Sequence, residues 1–320
     1  MAADPFDTRL RQELTAALTA KELAPSSIRL YLRNLEKLNG GPLKKLTFLK
    51  DIPAIEAKLA AFAPNTQRGY LISICSVLQT GADSRPKKKL YDAYFAKMLE
   101  LTKTYKEQES KHEKTPAQSA NWITWDEVVA RYNELTKVVD GFKASKTITP
   151  AQYDKLLQWV ILSLYTALPP RRNSDYTKMI VTKSATEDSP EDTNYLDWTG
   201  KRFIFNVFKT AKTEGQQIIA IPEPLAAVLG TFLKHHPLLK GVRLNRAFAV
   251  PFLVYADGRP LDAVNSITRI LNKVFGKRIG SSMLRHIYLT GKYGDIAAQQ
   301  AEDAKMMAHT VDQQRDYVKR

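Results

Sequence analysis

Cysteine is nearly absent from this chain: Cys75 stands alone among 320 residues, so no disulfide can form within it. Only five histidines are present. Without a Cys cluster and with so few His, no spacing matches a structural zinc site, and neither metal nor cofactor is expected. Long apolar runs are missing too; none approaches the roughly 20 residues that span a bilayer. The opening residues, MAADPFDTRL, are acidic and lack an apolar core, unlike a secretory signal. These absences argue against secretion and membrane insertion. The expected place is inside a cell, in the cytoplasm or nucleus of a host.

What the sequence has is positive charge. Forty-eight Lys and Arg oppose 33 Asp and Glu, a formal net charge of +15. Such an excess favours polyanionic partners, nucleic acid before anionic membrane. The charge is spread: residues 1–115 carry net +7 and the remainder net +8. A single basic tail would look different. Two basic halves are expected of two domains that close around one DNA duplex.

The first third reads as helix. Asp4 and Pro5 open a helix with Leu10, Leu14 and Leu18 at spacing four. Ala24–Ser27 breaks the chain and caps Ile28–Leu38, which ends at Gly40, Gly41 and Pro42. Ile52 and Pro53 start a helix through Phe62, and Pro64–Thr66 caps one with Tyr70, Ile74, Val77 and Leu78 on a face. Arg85–Lys89 leads into a long helix, Leu90–Tyr105. Arg29, Arg33, Arg68, Lys87, Lys88 and Lys89 are the DNA-contact candidates of this part. Residues 106–121 are polar and interrupted by Pro116, which is linker chemistry. The expected division is a helical domain 1–110, a linker 111–121 and a second domain 122–320.

The second part is mixed. Thr124 and Thr149 read as N-caps, with Pro150 at the first helical position of an apolar helix to about Ala167. Strand-like runs follow at Met179–Thr182, Tyr195–Trp198, Arg202–Phe208 and Gln216–Ile221, with a tight turn at Thr199–Lys201. Helix returns from Pro222 and over 263–275, 282–292, 296–308 and 311–319. The expected fold is mainly α with a small antiparallel β-sheet of three strands or so.

Three segments stand out. In Leu168–Tyr176 (LPPRRNSDY) two prolines stop a helix and fix where Arg171 and Arg172 point, with Asp175 close enough in sequence to orient Arg172. In Ser281–Thr290 (SSMLRHIYLT) Arg285 sits on an otherwise apolar helix, which is costly unless it is paired. In Met306–Tyr317 (MMAHTVDQQRDY) His309 precedes Tyr317 by eight residues. Taken singly, each has an ordinary structural explanation: dipole neutralisation, a buried ion pair, core packing.

Together, the order Arg, Lys, Arg, His, Tyr resembles the catalytic set of the tyrosine recombinase/integrase family. The resemblance spans the second domain; the helical first domain is similar in kind to the family's core-binding domain. YTALPPRRNSDY and MLRHIYLT resemble the recombinases of large DNA viruses and mobile elements more than bacterial chromosome-dimer resolvases. The resemblance implies an α+β catalytic domain that cleaves and rejoins double-stranded DNA through a 3′-phosphotyrosyl intermediate, without ATP. It implies Arg172 and Arg285 as phosphate-binding arginines, His309 in the family's Leu-Gly-His position, and Tyr317 as nucleophile. The family lysine lies on a β-hairpin; Phe208–Gly215 (FKTAKTEG) offers Lys212, with Lys209 as alternate.

The sequence departs from the family in three places. Ser282 stands where a His or Lys is usual, and His286 is a possible substitute donor. Thr166–Pro170 replaces a Thr-Gly, which leaves Arg171 an alternate to Arg172. Only three residues follow Tyr317, where many relatives carry an exchange helix. That short tail leads to the expectation of a monomer in free solution, cleaving with its own tyrosine and oligomerising only on DNA. Two other functions share the scaffold: type IB topoisomerase-like relaxation, and an inactive DNA-binding relative.

Overall fold

The computed structural model describes residues 6–81, 88–186 and 189–318, apart from the side chain of Arg315. The chain divides into two compact units, Met1–Glu113 and Lys114–Arg320.

The first unit is helical: α1 (Arg9–Ala20), α2 (Pro25–Asn39), α3 (Ile52–Leu59), α4 (Pro64–Leu78) and α5 (Lys88–Ser110), with a 3-10 turn at Thr47–Lys50. The spacing-four leucines expected on α1 are buried. They join Leu32 and Leu35 of α2, Ile74 and Val77 of α4, and Tyr94 of α5 in one core. The Tyr94 hydroxyl donates to the Leu49 carbonyl at 2.8 Å, which satisfies the polar end of a buried ring. The sequence start signal at Asp4 and Pro5, and the approach to α5 at Arg85–Lys87, lie outside the described residues.

The second unit contains α6 (Pro116–Asn121), α7 (Trp125–Asp140), α8 (Pro150–Thr166), α9 (Asn173–Tyr176), α10 (Ala211–Glu214), α11 (Glu223–Lys234), α12 (Val264–Phe275), α13 (Ser281–Met306) and α14 (Val311–Tyr317). Five strands complete it: β1 (Ile180–Thr182), β2 (Tyr195–Asp197), β3 (Arg202–Phe205), β4 (Gln217–Ala220) and β5 (Ala249–Pro251). Capping boxes at Thr115, Thr124 and Thr149 start α6, α7 and α8. The polar linker stretch thus ends in a short capped helix, and the Asn121 side chain accepts from the Arg278 backbone N–H at 2.9 Å. Helix α8 is buried along most of its length, as its apolar composition requires, and it packs on α7, α11 and α12.

The sheet corrects the expected antiparallel one. Its order is β4-β3-β2-β1-β5, and β1 runs parallel to β2 while the other pairs are antiparallel. The connection over residues 183–194 is long enough for the crossover that parallel pairing needs. Sequence reading missed β5: it is short, ends in Pro251 and lies at the sheet edge, where proline costs no central ladder bond. The strand expected to reach Phe208 stops at Phe205. The break expected between residues 292 and 296 is also absent: α13 is one continuous helix through Gly291 and Gly294. Trp125 covers Gly291 so closely that a Cβ there would meet the Trp125 Cβ at 2.9 Å. Among the described residues, no helix is long and apolar enough to cross a membrane.

Candidate phosphate-binding site of the second unit

The prolines after α8 turn the chain so that Arg171 and Arg172 take different roles. Arg171 points inward. Its Nε donates to Asp175 Oδ2 at 3.0 Å and its Nη1 donates to Gln217 Oε1 at 2.7 Å. Its guanidinium also lies 3.9 Å from the Phe205 ring centroid. Asp175 is buried, so the ion pair braces the turn from within, while Gln217 and Phe205 tie it to β4 and β3. It is Arg171, not Arg172, that Asp175 orients.

Arg172 is the N-cap of α9 and is half-buried. No hydrogen bond or ion pair engages its side chain among the described residues. The next residue fixes its position. Asn173 is buried; its Oδ1 accepts from the Tyr165 hydroxyl at 2.6 Å, and its Nδ2 donates to Thr268 Oγ1 at 2.8 Å. Burial holds the Tyr165 phenol well above its ordinary pKa, so it remains a neutral strut. Helix α8, the arginine turn and α12 are locked together by these contacts.

The start of α13 is open. Gly280 is its N-cap and provides no side-chain cap, so the positive end of a long helix dipole is uncapped there. A cleft of about 510 Å³ at this end is lined by Arg172, Arg278, Ser282 and His286. A neighbouring cleft of about 320 Å³ is shared by Arg172, Arg285, Phe208 and Thr210. The two clefts meet at Arg172. Arg172, Arg278 and Arg285, whose side chains make no hydrogen bond or ion pair among the described residues, join the Ser282 hydroxyl and a helix N-terminus as donors suited to the nonbridging oxygens of a phosphate.

The lysine candidates lie beside this cleft. Lys209 sits between Phe208 and Thr210, which line it; Lys212 lies on the one-turn helix α10 rather than on an extended hairpin. Both are exposed.

His309 and Tyr317 form a separate pair. Their rings stack with centroids 5.9 Å apart and planes 21° from parallel. His309 Nε2 lies 3.2 Å from Met307 Sδ, and Tyr317 is 75% exposed. The His309 N–H donates to the Ala304 carbonyl, which fixes the pair at the far end of α13. At a rise of ~1.5 Å per residue, Ala304 lies on the order of 30 Å along the helix from Arg285. The five expected catalytic residues therefore fall into two groups, and a single chain does not bring them together in this conformation. Ala308 takes φ +57°, the left-handed conformation that glycine adopts without strain.

In the first unit, Arg29 and Arg33 lie on α2 along an open groove of about 940 Å³, with Lys37 one turn further on. Sequence reading did not single out Lys37, although the same spacing of four predicts it. Arg68 is engaged internally: its Nε donates to Thr102 Oγ1 at 3.0 Å and its guanidinium lies over Tyr105. Lys88 pairs with Asp92 at 2.7 Å, Lys89 is exposed, and Lys87 lies outside the described residues. No group of three or more His, Cys, Asp or Glu side chains among the described residues is arranged to hold a metal ion. Comparison with protein-family models, curated proteins and solved structures returned no match.

Proposed function

We propose that the protein is a site-specific DNA recombinase or integrase that cleaves and rejoins DNA through a 3′-phosphotyrosyl intermediate. The observation that carries this reading is the uncapped start of α13, with Arg172 and Arg285 beside it and unpaired among the described residues. A net charge of +15 and the basic stripe of α2 support DNA as the partner.

In the proposed chemistry, the Tyr317 oxygen attacks phosphorus. A phosphorus–tyrosyl oxygen bond forms and the bond to the 5′-oxygen breaks. The phenol gives up its proton, to His309 or to water. The 5′-oxygen gains one from Lys212 or Lys209. Arg172 and Arg285 hold the negative charge that builds on the nonbridging oxygens. Phosphodiester energy is stored in the protein–DNA link, and reversal of the same steps reseals the strand without ATP.

The test is trapping on nicked duplexes of randomised sequence, in which the cleaved fragment diffuses away. A denaturant-resistant protein–DNA adduct is expected. Arg172→Ala or Arg285→Ala should lower adduct by roughly 10²-fold or more, the scale for losing one transition-state donor. No adduct from the wild type would overturn the reading. A second reading, a DNA-binding protein without cleavage, draws on the distance between Tyr317 and Arg285; DNA binding with no adduct under any condition would establish it.

A further inference from the structure

Two clefts meet at Arg172, and they differ in what lines them. The smaller holds Arg285 and lies beside Lys209, so it carries the groups that the proposed reaction needs. The larger, of about 510 Å³, is lined by Gln118, Arg172, Arg278, Ser282 and His286, and no Asp or Glu among the described residues lines it. The lysine candidates all stand at the other cleft.

Arg278 defines the larger cleft. Its backbone is anchored: the Arg278 N–H donates to Asn121 Oδ1 at 2.9 Å, and the adjacent Lys277 Nζ donates to the Trp122 carbonyl at 3.3 Å. Helix α6, which supplies Gln118 to the wall, thereby clips the segment ahead of α13 in place. The Arg278 side chain is exposed and makes no hydrogen bond or ion pair among the described residues. A fixed backbone beneath an unengaged guanidinium is a preorganised anion donor, with the Ser282 hydroxyl and the Gln118 amide as neighbours. Because Arg172 lines both clefts, anions filling them lie one side chain apart. Successive phosphates of one nucleic-acid strand come as such a pair.

We infer that the Arg278 cleft is a second phosphate subsite. It holds the phosphate next to the scissile one on the same strand, while the Arg172–Arg285 cleft holds the scissile phosphate. Arg278 then contributes to binding and takes no part in bond breaking. The inference rests on the reading of the Arg285 cleft as a strand-cleavage site.

Thymidine 3′,5′-bisphosphate carries two phosphates at the spacing of one strand and needs no target sequence. Titrated calorimetrically into the full chain, it should bind at least ~10-fold more tightly than thymidine 3′-phosphate or thymidine 5′-phosphate, the scale of one charge-assisted contact. Arg278→Ala should abolish that advantage with little change in thermal midpoint, and Arg278→Gln, which keeps much of the side chain's length, should do the same. On nicked duplexes, Arg278→Ala should form less adduct at low DNA concentration and recover at saturating DNA, whereas Arg285→Ala stays low throughout. Equal affinity for bisphosphate and monophosphates, or an advantage that survives both Arg278 variants, would overturn the subsite and leave the proposed function standing. Adduct from Arg278→Ala that stays low at saturating DNA would place Arg278 on the scissile phosphate and overturn the division of the clefts. No adduct from the wild type would overturn the cleavage reading; a bisphosphate advantage that depends on Arg278 would then mark a backbone-binding site alone.

Discussion

Adjacent arginines in this chain do opposite work. Arg171 is consumed by the fold: a buried carboxylate, a glutamine and an aromatic face hold it. Removing it leaves the Asp175 charge buried without its partner, which costs about 3 kcal/mol or more. Arg172 has no such partner and faces the cleft. Arg171→Ala should therefore lower the thermal midpoint markedly, while Arg172→Ala keeps it within a few degrees and loses adduct formation. Thermal unfolding beside adduct trapping separates them; equal destabilisation by both would contradict the division. The sequence placed both arginines after the Pro-Pro stop but left open which one was free. That depends on Gln217 and Phe205, which reach the turn from strands distant along the chain. Tyr165 and Asn173, the struts behind the cleft, were invisible for the same reason, since their network becomes apparent only when α12 is in place.

Local signals read well at the scale of elements. Thr124 and Thr149 as caps, the leucine stripe of α1, the buried run of α8 and the centres of four strands were all legible, because each depends on neighbours in sequence. Elements whose definition depends on tertiary partners were not. β5 pairs through an edge proline, the parallel β1–β2 ladder needs a long crossover, and α13 continues through two glycines with Trp125 packed over one of them. His236 shows such a tertiary dependence. It is buried after α11; its Nδ1 accepts from the Leu238 N–H, and its Nε2 lies 3.1 Å and 3.2 Å from the Pro251 and Phe252 carbonyls. That pattern fixes a neutral ring, and burial lowers its pKa below the ordinary value, although the carbonyls act the other way. The unfolded chain thus takes up the proton first on acidification. Stability from this group is complete above the unfolded pKa of about 6.5 and falls as pH drops below it. Unfolding midpoints measured between pH 8 and pH 5 should decline on the acid side, and His236→Gln should make that decline shallower. An unchanged slope would assign the acid sensitivity elsewhere.

For the whole molecule, positive charge in both units predicts DNA affinity that depends strongly on salt. If several phosphates are contacted, binding should weaken by roughly 10³-fold or more between 50 and 200 mM salt. A flat response in a fluorescence-anisotropy titration would count against phosphate contacts as the source of affinity. The mainly helical fold with a small sheet and the basic character followed from composition and periodicity; the mixed order of the sheet did not. The separation of Tyr317 from Arg285 did not, because it is set by the length of one uninterrupted helix and not by the residues themselves. Binding alone does not distinguish a strand-cleaving enzyme from a protein that merely holds DNA. The most direct measurement is peptide mapping of the denaturant-resistant adduct formed on nicked duplexes. The nucleotide is expected on Tyr317, with no adduct from Tyr317→Phe although DNA is still bound within a few-fold. A nucleotide on Tyr288 or Tyr293, which lie far closer to Arg285 along α13, or an adduct that survives in Tyr317→Phe, would contradict it.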